Sequence, residues 1–240
     1  MIDPKVLAES GVLLVDKPTE WTSHDAVNCV RRRFRVRKVG HCGTLDPNAT
    51  GLLVLVLGRA TKLSSKLSGQ DKTYEGTMRL GVETFSQDRE GEVTATADPS
   101  DVRPEDIQRV AAHFVGEIMQ IPPMVSAVKK DGKRLYKMAR KGQVVEREPR
   151  PVTIHELTIR EIRMPDVLFE VRCSKGTYVR TLCADMGRQL GCGAYLHALR
   201  RTCSGDFRVE DAYGMETIKT WEREQLLEAL IPLTEVVRFL

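Results

Sequence analysis

The chain has 240 residues, 41% hydrophobic and 29% charged, a balance that fits a folded protein with a substantial core and excludes a disordered polyelectrolyte. No apolar stretch reaches the ~18 residues of a membrane span, and MIDPKVLAES lacks the basic start and apolar run of a secretory signal, so the expected location is the cytoplasm. The net charge of +4 is uneven: Gly205 to Leu240 holds 4 basic and 8 acidic residues, leaving 33 basic and 25 acidic elsewhere, and a basic body of this kind suits a polyanionic partner.

Gly11 to Asp16 reads as a short buried strand broken by Lys17-Pro18. Thr22 or Ser23 can cap a helix with Asp25 in its first turn, and Val27, Val30 and Phe34 recur at helical spacing, so Ser23 to Arg35 is expected to be an amphipathic helix. Its outer face and exit carry Arg31, Arg32, Arg33, Arg35, Arg37 and Lys38, which repel one another unless solvent or an anionic partner relieves them. Gly40 to Gly51 is rich in turn formers and predicts an ordered irregular loop. Leu52 to Leu57 follows as a strand buried on both faces. Within the loop Asp46 precedes Pro47, which biases it to extended backbone; spacing alone reads this carboxylate as a turn residue bonded to nearby backbone.

Ala60 to Leu67 suggests a short helix, and Lys72 to Leu80 alternates as a strand with Tyr74, Gly76, Met78 and Leu80 on one face. Gln87 to Gly91 is a turn, with a strand around Val93. Pro104 suits a first helical turn, with Ile107, Val110, Ala111 and Phe114 on the buried face and Gly116 as the stop. Met124 to Lys129 reads as a strand, Asp131-Gly132 as a hairpin turn, and Lys133 to Lys141 as a short basic helix ending at Gly142. Val152 to Ile162 and Val167 to Cys173 are strands around a Pro165-Asp166 turn. Ser174 to Leu182 is a strand-to-helix corner, the helix buries Leu182, Met186 and Leu190, and Gly191 ends it. Met215 to Leu230 is expected to form a last, acidic helix. The six cysteines form no C-x-x-C pair, which predicts buried reduced thiols and no metal.

The run GHCGTLDPNATGLL, residues 40–53, resembles the catalytic motif of the TruB-type tRNA pseudouridine synthases. His41, Gly43, Leu45, Asp46, Pro47, Ala49, Thr50, Gly51 and Leu53 fall on the family pattern. KPTEWTS, Asp71-Lys72-Thr73-Tyr74, the Pro122 to Gly142 segment, KGTYVRT and Leu199-Arg200-Arg201 are similar to further family motifs and occur in the family order, so the resemblance runs from about Gly11 to Thr202. It departs at Glu20, where the family usually has glycine.

The resemblance implies an α+β pseudouridine synthase fold, a mixed, mainly antiparallel sheet with flanking helices, forming one catalytic domain over residues 1–240. An insertion at about 87–142 grips the tRNA arm in the family, and Tyr136 and the lysines between Lys129 and Lys141 lie in it. The implied activity is isomerisation of uridine to pseudouridine in the T-loop of tRNA, at position 55, with no metal, organic cofactor or energy source. Asp46 is then the catalytic carboxylate, attacking ribose or base or removing a ribose proton. Arg180 pairs with it; without the motif, Arg180 reads as a solvated arginine at a helix start, poorly placed against the dipole. Tyr74 stacks on the target base, Tyr178 and Leu199 complete the pocket walls, and His41 contacts the flipped nucleotide. Phosphate contacts from the basic clusters supply much of the affinity.

The expected partner is the tRNA T-arm, bound by a monomer with no obligatory protein partner and no membrane. Too few residues follow Thr202 for a complete C-terminal RNA-binding domain of the PUA type, which predicts weaker tRNA affinity than in longer relatives. Two other readings stay open: a tRNA-binding folding chaperone, and a synthase acting on another RNA. A P-loop enzyme is excluded, because Gly40 to Gly51 has neither G-K-[ST] nor G-x-G-x-x-G.

Overall fold

A computed structural model describes residues 10–236 apart from 127, 128, 131, 140–142 and 144, and the backbone alone at 129, 130, 133, 134, 136 and 137. In chain order the elements are β1 (Gly11–Lys17), α1 (Ser23–Arg33), β2 (Val39–His41), β3 (Thr50–Leu57), α2 (Ser64–Ser68), β4 (Lys72–Leu80), β5 (Val82–Thr84), β6 (Val93–Thr96), α3 (Pro104–His113) and β7 (Gly116–Gln120). Next come β8 (Lys129–Lys130), β9 (Lys133–Arg134), α4 (Leu135–Ala139), β10 (Arg150–Arg163), β11 (Asp166–Cys173), α5 (Val179–Gln189) and β12 (Ala194–Ser204). The chain closes with β13 (Phe207–Arg208), β14 (Tyr213–Gly214), α6 (Met215–Thr220), α7 (Arg223–Ala229), β15 (Ile231–Pro232) and α8 (Leu233–Val236). They gather into two compact units, residues 1–74 with 199–240, and residues 75–198.

The first unit is built around β3. Its apolar run leaves every residue from Gly51 to Leu57 buried, so side chains on both faces of the strand lie in a core, as a continuous apolar run requires. Val12 and Leu14 pack with Leu52, Val54 and Val56 on one face, against Leu67, Phe207 and Val209. β1 pairs antiparallel with one edge of β3, from Gly11–Leu57 to Lys17–Gly51. The other edge is shared: β2 pairs antiparallel with Leu55 to Leu57, and β12 runs parallel to Thr50 and Gly51. The loop between β2 and β3 therefore starts and finishes on one edge of a buried strand. α1 begins as predicted, with Thr22 and Asp25 forming a reciprocal capping box, and buries Ala26, Val27 and Val30.

In the second unit β4, β11, β10 and β7 lie side by side, and β10 pairs antiparallel with both β11 and β7. Gly76 has no side chain because the Phe169 ring occupies its place: a Cβ there would stand 2.4 Å from a ring carbon. α3 buries Ile107, Val110 and Ala111, the predicted stripe. Pairing across the molecule is mixed and mainly antiparallel, the α+β class expected.

Three expectations need correction. The predicted helix from Met215 to Leu230 is two helices, because Trp221 is extended and Glu222 caps α7 through a capping box with Gln225. Met124 to Ser126 are bends, and among the described residues of that stretch the strand is Lys129–Lys130. Lys133 and Arg134 pair with that strand rather than opening a helix, which starts at Leu135. Asp131, Arg140, Lys141, Gly142 and the side chain of Tyr136 lie outside the described residues. Among the described residues no helix is long and apolar enough to cross a membrane.

Candidate active site

The loop carrying Asp46 is fixed by backbone and side chains together. Cys42 N–H donates to Val54 O at 2.9 Å, extending the β2–β3 pairing by one residue, and Ala49 N–H donates to Asp46 O at 3.1 Å. The second bond closes a β-turn with Asp46 first and Pro47 second, positions those residues favour. Leu45 and Ala49 are buried on either side, while Asp46 itself is exposed.

Three buried polar side chains hold this loop. Ser23 Oγ accepts from Leu45 N–H at 2.8 Å and donates to Leu45 O at 3.1 Å, satisfying both polar groups of the residue before Asp46. Lys17 Nζ donates to Pro47 O at 3.1 Å, to Trp21 O at 2.6 Å and to Pro18 O at 2.8 Å. It thus ties the residue after Asp46 to the turn following β1. Arg201 donates from Nε to Leu52 O at 2.6 Å and from Nη2 to Gly43 O at 3.2 Å, joining the two ends of the loop. Burial lowers the Lys17 pKa from its ordinary 10.5 to about 8; Asp46 opposes that shift and Arg201 adds to it, so the three charges share one electrostatic neighbourhood.

His41 ends β2, partly buried, with its ring edge-on to His24 at 6.2 Å between centroids. Burial, then His24, lowers its pKa below the usual 6.5, so its imidazole is neutral at pH 7. Burial pushes the neighbouring Cys42 thiol up to about 11, which keeps it an unreactive core group. Tyr74 is buried on β4. Leu199 is half-buried on β12, and its carbonyl accepts from Thr50 Oγ1 at 3.5 Å. At the turn before α1, Glu20 takes φ +65°, the left-handed conformation that glycine adopts without strain, so this turn keeps a glycine-type backbone despite the substitution.

Arg31, Arg32, Arg35, Arg37 and Lys38 are exposed at the exit of α1. Arg33 is engaged: it donates to Lys219 O at 3.1 Å and pairs with Glu222 at 3.0 Å. The acidic C-terminal segment therefore takes one arginine out of the basic face.

In the second unit, Tyr178 caps α5. The side chain of buried Gln120 holds it at both backbone groups, accepting from Tyr178 N–H at 3.0 Å and donating to Tyr178 O at 3.2 Å. Arg180 is 4% exposed. It donates to Val125 O at 2.6 Å, to Asp88 Oδ2 at 3.3 Å and to Ser86 O at 3.4 Å, and its guanidinium stands 5.8 Å from the centre of the Tyr178 ring. Asp88 is in turn held by Ser86 Oγ and Glu90 N–H at Oδ1. The resemblance pairs Arg180 with Asp46; within the second unit the carboxylate that Arg180 meets is Asp88, and Gln87 to Gly91, expected as a turn, is the seat of that contact.

The structure thus sets His41, Asp46, Tyr74 and Leu199 in the first unit, and Tyr178 and Arg180 in the second. Sequence reasoning missed Asp88, Gln120, Ser23, Lys17 and Arg201 as organisers. The available signals were the KPTEWTS and Leu199-Arg200-Arg201 segments, which suggested importance but no partner. Among the described residues no group of three or more His, Cys, Asp or Glu is placed to hold a metal ion.

Residues 31–179 match the family model of the TruB family pseudouridylate synthase N-terminal domain, and residues 180–238 match the tRNA pseudouridylate synthase B C-terminal domain. The chain is 47% identical over 233 residues to the tRNA pseudouridine synthase B of Opitutus terrae, covering 97% of this chain and 96% of the relative. It is 50% identical over 226 residues to that of Burkholderia pseudomallei, covering 94% and 74%. Its fold is similar to a chain in the crystal structure of a Cbf5–Nop10–Gar1 complex, with a TM-score of 0.78 and 30% identity; all of this chain aligns, and it spans 65% of that chain. A chain of an H/ACA ribonucleoprotein bound to a substrate RNA containing 2′-deoxyuridine aligns with a TM-score of 0.74 and 27% identity over 98% of this chain and 63% of the other. With an exposed carboxylate on a clamped loop and the two family models matching residues 31–238, the chain belongs to the TruB family of pseudouridylate synthases.

Proposed function

We propose that this chain isomerises uridine to pseudouridine in the T-loop of tRNA, at position 55, with Asp46 as the catalytic carboxylate. One observation carries the reading: Asp46 is exposed while the peptides on both sides of it are pinned by buried side chains. A catalytic group held this way meets its target in a fixed orientation, which is where much of an enzyme's rate advantage arises.

The reaction breaks N1–C1′, turns the detached base and forms C5–C1′; the C5 proton leaves and N1, freed from the sugar, takes up a proton, so the product is an isomer and no net oxidation or reduction occurs. An ionised Asp46 starts it by attack on ribose or base, or by removing a ribose proton. The target leaves its stack at a cost of a few kcal/mol, with neutral His41 placed beside the loop as a hydrogen-bonding contact for the displaced nucleotide. Tyr74 and Leu199 supply apolar walls, and Tyr178 and Arg180 bind substrate in the roles the motif resemblance gives them. The exposed arginines at the exit of α1 contact phosphates and make binding salt-dependent. The chain works in the cytoplasm as a monomer without an obligatory protein partner.

Tritium release from tRNA transcript labelled with [5-³H]uridine tests this, comparing the purified wild type with Asp46→Asn. Release by the wild type alone is the expected result. No release from a wild type that still binds tRNA would favour a folding chaperone, and release from another RNA but not tRNA would redirect the substrate assignment.

A further inference from the structure

Arg201 is 1% exposed, although arginine is among the residues least often buried. A guanidinium in such a place needs its hydrogen bonds met, and Arg201 directs them to the carbonyls of Gly43 and Leu52, the two ends of the Asp46 loop. The loop is shaped to it. At Gly51, φ +95°, an added Cβ would stand 2.3 Å from Arg201 O; at Gly43, φ +96°, it would stand 3.3 Å from Arg201 Nη1. The adjacent Arg200 points to the other face and makes a bidentate pair with Asp16 at 2.7 and 3.0 Å, so the two arginines have separate tasks. Ser23, 2% exposed, secures the middle of the same loop through both polar groups of Leu45.

We propose that Arg201 and Ser23 are positioning residues for the isomerisation, holding the Asp46 loop so that the carboxylate meets the nucleotide in a single orientation, without themselves touching it. This assignment rests on the reading of Asp46 as the catalytic carboxylate. Planar geometry suits Arg201 to the task, because one guanidinium donates in two fixed directions to two separate peptides, and lysine has no such fork.

The test measures single-turnover tritium release, tRNA dissociation constant and melting temperature for wild type, Asp46→Asn, Arg201→Lys, Arg201→Ala and Ser23→Ala. Arg201→Lys and Ser23→Ala are expected to slow release by roughly 10- to 100-fold with the tRNA dissociation constant within about two-fold of wild type. Added guanidinium is expected to raise the rate of Arg201→Ala, and urea at equal concentration to leave it low. Ser23→Ala removes a single oxygen and carries the test if the arginine variants do not fold. Wild-type rates in folded Arg201→Lys and Ser23→Ala, a loss confined to tRNA affinity, or equal rescue by urea would overturn the assignment. A wild type without activity, or a fully active Asp46→Asn, would instead remove the Asp46 reading on which it depends.

Discussion

Lys17 offers a pH test of how the Asp46 loop is held. Its ammonium is fully buried and its pKa lies at about 8 instead of 10.5, a depression worth about 3 kcal/mol at 1.36 kcal/mol per pH unit. Burial is the main cause, and Asp46 only partly offsets it. The folded state therefore releases this proton before the unfolded chain does. Stability contributed by the group is fully present above pH 10.5 and is lost as pH falls through 8. Lys17→Met, which cannot titrate, isolates the effect from cysteines and other lysines. The stability difference, wild type minus Lys17→Met, is expected to move in favour of wild type by about 2 kcal/mol between about pH 7 and about pH 9.5. Activity should move the other way. The neutral amine has two N–H donors for three carbonyls and no charge beside Asp46, so wild-type turnover should fall with a midpoint near pH 8. Urea unfolding and tritium release over the same pH series read both quantities. A stability difference that stays flat would refute the buried, depressed lysine, and unchanged turnover through pH 9.5 would refute its hold on the loop.

Glu20→Gly removes a side chain from a left-handed position and should stabilise the protein by about 1 kcal/mol, raising the melting temperature by roughly 2–4 °C; an unchanged or lower value would contradict the strain. Gly51→Ala should cost at least ~3 kcal/mol, through strain and a clash with the Arg201 backbone, whereas Gly191→Ala, at φ +80° with nothing within 4 Å, should cost only ~1 kcal/mol; calorimetry of the two variants separates contact from strain. Asp88→Asn keeps the shape but leaves the Arg180 charge without this carboxylate, and should destabilise by about 2 kcal/mol and lower single-turnover tritium release; normal release would show that Asp88 does not orient Arg180.

Elements whose signal is local were legible in the chain alone. The unbroken apolar run Leu52 to Leu57 identified the central buried strand, Thr22 and Asp25 marked the start of α1, and alternation placed Tyr74, Met78 and Leu80 inward. Periodicity reports which face is buried, and caps report where helices begin, because both act within a few residues. The single helix expected from Met215 to Leu230 failed on the same ground: its apolar spacing continues, while one capping box at Glu222 divides it. The Asp46 loop was visible through its motif, yet nothing local identified what holds it. The partners of that loop are 22 residues away at Ser23–Leu45, 30 at Lys17–Pro47, and 149 and 158 at Arg201. Asp88 and Arg180 are 92 apart. A buried hydrogen bond depends on a donor and an acceptor meeting in space, and one-dimensional patterning does not encode which distant pair will meet. Composition, period and motif determined most of the strands and helices and singled out Asp46; tertiary packing alone decided that Lys17, Ser23 and Arg201 would hold it still.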